Sequence, residues 1–182
     1  MIHLHLHTER GSLLDSILTI EEAVKFAKEN KQEAMALTDH GTMFSYVDFY
    51  KECKKNNIKP IMGCEVYEVD DMMLKNDTKE NKQQRYHLIL LCKNQIGLNN
   101  LYKIITDSYI KGFYGKPRID LNYVQENNLG EGIVCLTACM AGRLSRIIEG
   151  KECKCSALEY TNKLKNIFDY VALEIQSHPS EL

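Results

Sequence analysis

The sequence predicts an α/β protein in which five or six strands alternate with helices around one sheet. Three observations support this. Short apolar runs bounded by turn residues recur along the chain. Segments with helical spacing and capping residues lie between them. Polar residues collect where the runs end, which is where β/α folds place function. The 182 residues are one domain's length, and neither an internal repeat nor a Gly/Pro-rich linker divides them. Parallel β/α architecture follows, with a closed or nearly closed barrel as first choice and an open doubly wound sheet as the alternative.

The elements can be taken in order. Ile2–His7 alternates His and Leu and reads as a strand, with His3, His5 and His7 on one face and Leu4 and Leu6 on the other. Thr19 caps a helix over about Ile20–Asn30, with Glu22 completing the cap and Ala23, Val24 and Ala27 as its apolar stripe. Ala34–Thr38 is a short apolar strand. Thr42–Asn56 is a second helix, with Phe44, Val47 and Tyr50 near helical spacing. Lys59–Tyr67 is a third strand. The polar stretch Asp70–Gln84 is an exposed loop. His87–Cys92 is a buried strand, Gly97–Tyr109 a helix, and Ile133–Thr137 a strand. Ser156–Phe168 is a helix and Tyr170–Gln176 a sixth strand.

Composition narrows the class. Apolar content of 44% and charged content of 26% are those of an ordinary globular protein. A net charge of −2 gives no nucleic-acid signature, so contact with DNA would need a local patch or other domains. No apolar run approaches a membrane span and no signal peptide precedes the first strand. The seven cysteines are odd in number and several lie in apolar runs, as expected of reduced thiols in a cytoplasmic protein. Cys153 and Cys155 form a lone Cys-x-Cys, which reads as surface thiols rather than a zinc knuckle.

The chemistry gathers around histidine. Two imidazoles two residues apart on one strand can grip one metal ion. A purification tag would not alternate with leucine. His5 and His7 end the first strand, and Asp39-His40 follows the second. Glu65 is a carboxylate in an apolar strand, where it needs a partner or a metal. His178 follows the sixth strand. His87 is the exception, because it opens its strand. Each has a plainer reading: a turn at Thr38–Gly41, a core histidine at 87, a solvated one at 178. Together they suggest a hydrolytic site of two or three ions acting on a phosphoester. No glycine-rich phosphate loop and no Gly-x-Ser-x-Gly elbow competes.

The motifs His5-Leu6-His7-Thr8, Ser12-Leu13-Leu14-Asp15, Ala36–Gly41 and Gly63–Tyr67 resemble the PHP (polymerase and histidinol phosphatase) domain. Ile58–Gly63, Gly97–Leu101 and Lys111–Asp120 resemble the N-terminal PHP domain of bacterial DNA polymerase III alpha subunits. The absence of an exonuclease-sized insertion suggests the DnaE rather than the PolC type. The resemblance covers essentially the whole chain, as one PHP domain over 1–182. It implies a distorted (β/α)7-type barrel with two or three divalent ions (zinc, manganese or iron) held by His5, His7, Asp15, His40, Glu65, His87 and His178. Glu65 would bridge two ions, and Glu65, His40 and Asp15 would carry catalysis. Asp39 would stand behind the ligands, and His3 matches a position outside the set. The family's last motif, on the seventh strand, would fall after Leu182, so the barrel would lack that strand. No palm, fingers or thumb is present, and DNA synthesis is not expected.

Two functions follow from the resemblance. One is a metal-dependent 3′–5′ exonuclease that proofreads during DNA replication, meeting a DNA 3′ end through the parent polymerase. The alternative is a catalytically inactive module that stabilises the remaining polymerase domains and docks a proofreading exonuclease subunit. A free-standing small-molecule phosphatase is disfavoured by the polymerase-like segments from Gly97 to Asp120. No membrane partner is expected.

Overall fold

The computed structural model describes residues 1–75, 83–152 and 154–177. Six strands, β1 (Ala34–Leu37), β2 (Lys59–Val69), β3 (Tyr86–Cys92), β4 (Arg118–Asp120), β5 (Ile133–Leu136) and β6 (Tyr170–Ala172), form one sheet. Its order is β1-β2-β3-β5-β6. β4 pairs with the far end of β2, where β1 pairs with its start. The helices are α1 (Ile20–Glu29), α2 (Tyr46–Lys55), α3 (Gln95–Ile110), α4 (Leu121–Glu126), α5 (Arg143–Ile148) and α6 (Ala157–Ile167). None of the described helices is long and apolar enough to cross a membrane.

The sheet is mixed, not parallel. β3 runs antiparallel to both β2 and β5, whereas β1, β4 and β6 run parallel to their neighbours. This explains why His87 opens its strand. In a reversed strand the first residues lie beside the last residues of β2, and Tyr67 pairs with His87. His87 therefore reaches the same end of the sheet as the residues that close β1 and β2.

Strand alternation sorts the side chains of β2. Directly opposed residues share a face, so Glu65 with Ile89 and Tyr67 with His87 look one way. Val66 with Leu88 looks the other way, into a large core with α3, α4 and α6. Under the Glu65 face lies a small apolar layer of Ala36, Ile89, Leu91, Leu136 and Ala138. A third cluster packs α1 and α2 on β1 through Val24, Met35, Leu37 and Phe49.

α1 begins as expected, with reciprocal capping by Thr19 and Glu22. α2 does not. It starts four residues later, at Tyr46, and buries Tyr46, Phe49 and Cys53. Phe44, Val47 and Tyr50 point to solvent at 84, 63 and 48% exposure. Both stripes have helical spacing, and contact with β2 and α1 chose between them.

Ile2–His7 is not a regular strand. It lies along β1 through two backbone bonds, Ala36 N–H to His3 O (2.8 Å) and Thr38 N–H to Leu6 O (2.9 Å). Leu6 N–H donates to Thr38 Oγ1 at 2.8 Å. A bend at His5 breaks the alternation. His3 therefore turns to a groove with Leu6, Ala23 and Phe26, away from His5 and His7.

Within the Asp70–Gln84 stretch, Met72 is buried, and residues 76–82 lie outside the described residues. The six described cysteines are free thiols; Cys153 is outside them.

Candidate metal centre

The centre is built around Glu65, which is 1% exposed. Beyond β1 the chain rejoins β2: Glu65 N–H donates to Asp39 O (3.2 Å) and Gly41 N–H to Glu65 O (2.8 Å), which sets His40 beside Glu65. The loop before α1 is tied to the same place through Asp39. Its Oδ1 accepts from Thr8 N–H (2.7 Å) and Ser12 Oγ (3.1 Å), and its Oδ2 from Thr8 Oγ1 (2.9 Å). Asp39 accepts three bonds from the loop and supports it. Gly11 permits the packing, because a Cβ there would fall 2.4 Å from Asp39 Oδ2.

The two carboxylate oxygens of Glu65 face different histidines. Oε2 lies 2.6 Å from His5 Nε2 and 3.0 Å from His7 Nε2, and these nitrogens are 3.1 Å apart. Oε1 contacts His87 Nδ1 and lies 3.7 Å from His40 Nδ1. Each set of three donors, His5–His7–Glu65 and His40–Glu65–His87, fits within 4.8 Å and could hold a metal ion. One orphaned atom supports that fit. His40 Nδ1 is buried and makes no hydrogen bond among the described residues. A buried polar atom without a partner is costly, and a cation would satisfy it.

The electrostatics agree. Burial opposes ionisation of Glu65, but bonds from His5, His7 and His87 outweigh it and hold the carboxyl far below its usual range. Burial also opposes charge on His5, yet Glu174 and Glu65 together push it up to about 10. His87 rises to about 9 against its own burial, through Cys139 and Glu65. His40 is lowered, chiefly by burial. Without a cation, the ionised Glu65 carboxylate is thus balanced by protons on His5 and His87, which a metal ion would displace.

Of the expected ligands, His5, His7, His40, Glu65 and His87 converge. Asp15 stands at the rim, 58% exposed, with Oδ2 3.3 Å from His40 Nε2, and belongs to neither donor set. His178 lies outside the described residues.

Three neighbours were not singled out by sequence. Glu174 Oε1 takes His5 Nδ1 at 2.6 Å. Cys139 Sγ stands 3.7 Å from His87 Nδ1, so a cysteine does border the cluster. The Tyr67 ring stacks on His40, centroids 5.8 Å apart. Glu174 had a signal in the alternation Glu174, Gln176, His178. Cys139, in a loop after β5, had none.

The family model for the PHP domain matches residues 3–178. The chain belongs to the PHP domain family. DNA polymerase III subunit alpha of Treponema pallidum is 38% identical over 180 residues, which is 97% of this chain and 15% of that protein. The same subunit of Aquifex aeolicus is 41% identical over 183 residues, again 97% and 15%. This PHP domain thus spans about 15% of the length of the curated relatives it matches. An amidohydrolase structure from Chromobacterium violaceum aligns over 91% of this chain and 45% of its own at 14% identity. Its TM-score of 0.39 is too low to bear on fold or chemistry.

Proposed function

We propose that this PHP domain is a metal-dependent phosphoesterase that holds two divalent ions astride Glu65 and removes nucleotides from a DNA 3′ end. The supporting observation is the divided carboxylate, with one oxygen toward His5 and His7 and the other toward His40 and His87. Asp15 would join from the rim, Cys139 borders the His40–Glu65–His87 donors, and His178 remains a candidate ligand.

Bound there, the ions would supply Lewis acidity toward a phosphoryl oxygen and a nucleophile at neutral pH. The chain's own groups prepare the place. Glu65 sets the spacing between the donor sets. Glu174 accepts the Nδ1–H of His5, which would leave the Nε2 lone pair aimed at an ion once that nitrogen gives up its proton. Ser12 Oγ, 3.4 Å from His7 Nδ1, steadies that ring, and Tyr67 closes the site beside His40. The relatives' names make DNA the fitting substrate and the rest of a polymerase the fitting partner.

Elemental analysis and hydrolysis of a single-stranded oligonucleotide in manganese test the reading. The wild-type protein should carry at least two ions and shorten the strand from its 3′ end. Glu65→Gln should lose both properties while staying folded. Full cleavage by Glu65→Gln would overturn the role given to Glu65, and a metal-free and inert wild type would overturn the reading in favour of a bracing role that docks a separate exonuclease subunit.

A further inference from the structure

Six of the described lysines, Lys25, Lys55, Lys93, Lys111, Lys151 and Lys154, lie within ion-pair distance of a carboxylate. Lys116 is among those with no such pair among the described residues, and its position sets it apart. Its Nζ stands 5.1 Å from the centroid of the Tyr67 ring. That ring stacks on His40 and meets His87 edge-on at 5.5 Å. An unneutralised cation thus sits one ring away from the His40–Glu65–His87 donors.

The turn carrying Lys116 is held in place. Arg118 Nε donates to Gly112 O at 2.8 Å, and Tyr114 N–H to Lys116 O at 3.0 Å. Pro117 rests against Gly41, next to His40. Gly41 has φ +62°, and a Cβ there would fall 2.7 Å from Pro117 Cγ, so glycine is needed both for the backbone and for the contact. At the start of the same segment, Tyr109 and Phe113 stack with centroids 6.1 Å apart and an 18° interplanar angle. Both rings stay open to solvent, 42 and 47% exposed.

Resting on the phosphoesterase reading, we propose that residues 109–116 form the strand-binding rim of the centre. Lys116 takes the non-bridging oxygens of the phosphate beside the cluster, and the Tyr109–Phe113 pair takes a base of the same strand. A phosphate nearing Glu65, Glu174 and Asp15 needs a cation not already spent on an acid. Exposed aromatic rings beside a cation are the elements that hold single strands without regard to sequence. A small phosphate monoester would have no use for the ring pair, so the rim selects a nucleotide chain.

The test uses two probes on the manganese-loaded protein: inorganic phosphate, and a phosphorothioate-linked tetrathymidylate that resists hydrolysis. Lys116→Ala should weaken both about tenfold, and Lys116→Arg should retain most of the affinity. The double variant Tyr109→Ala/Phe113→Ala should weaken the tetrathymidylate about tenfold and leave phosphate unchanged. Thermal midpoints should not move, since all three side chains are exposed. Unchanged affinity for both probes in Lys116→Ala overturns the rim, as does an unchanged strand affinity in the double variant. Manganese loading is measured on the same samples. A wild type that loads none refutes the phosphoesterase reading, whereas the rim is judged on strand affinity alone.

Discussion

Glu65 and Glu68 sit three residues apart on β2, each 1% exposed, on opposite faces of the sheet. Glu68 is closed by permanent partners. Arg143 Nε lies 2.8 Å from its Oε1, and the Tyr160 hydroxyl donates to Oε2 at 2.5 Å. Arg143 also reaches Asp70 at 2.8 Å and lies 4.3 Å over the Tyr86 ring. A guanidinium does not give up its proton, so this pair is fixed. The partners of Glu65 are imidazoles, which can release protons and then offer lone pairs. Burial alone therefore does not mark a functional acid. What marks it is whether its partners can let go.

The largest expected effect separates the two acids by stability. Glu68→Ala leaves Arg143 with Asp70 alone and the Tyr160 hydroxyl without its acceptor, and should cost about 2 kcal/mol, read as a lower urea midpoint with metal content unchanged. Glu65→Gln should do the reverse, losing metal with a smaller change in the metal-free midpoint. Equal destabilisation by both would erase the distinction.

Next comes the support of His5. Glu174→Gln should weaken metal binding about 10- to 100-fold and shift the His5 imidazole titration downward from about 10. An unmoved titration in NMR would show that Glu174 does not govern this ring.

The smallest effect is a pH profile of the metal-free protein. The depressed Glu65 carboxyl contributes stability above its ordinary value of 4.5, and this fades as pH falls below that point. The raised His5 and His87 contribute below 6.5, and this fades as pH climbs through about 9 to 10. The thermal midpoint should therefore fall on both sides of neutrality. Glu65→Gln should flatten both slopes, and two intact slopes in that variant would mean other groups set them.

Much of this was legible in the sequence, for identifiable reasons. The apolar runs of β1, β2, β3 and β5 and the capped α1 and α6 carry strong local signals. β4, α4 and α5 are 3, 6 and 6 residues long, too short for periodicity to register. Strand direction leaves no trace in a short apolar run, so the reversal of β3 was hidden even though His87 out of place was its symptom. At the site, the argument that a carboxylate in an apolar strand needs a partner applies equally to Glu68. Only the pairing with Arg143, 75 positions away in the chain, tells them apart.

The contact between His5 and Glu174 joins residues 169 positions apart. Most of the described fold must be in place before this corner of the centre exists. A cation held by the histidines would favour the folded state by mass action and, through His5, would steady a segment 169 positions away in the sequence. Local opening around Glu174 should therefore weaken the hold on the ion, and loading should damp that opening.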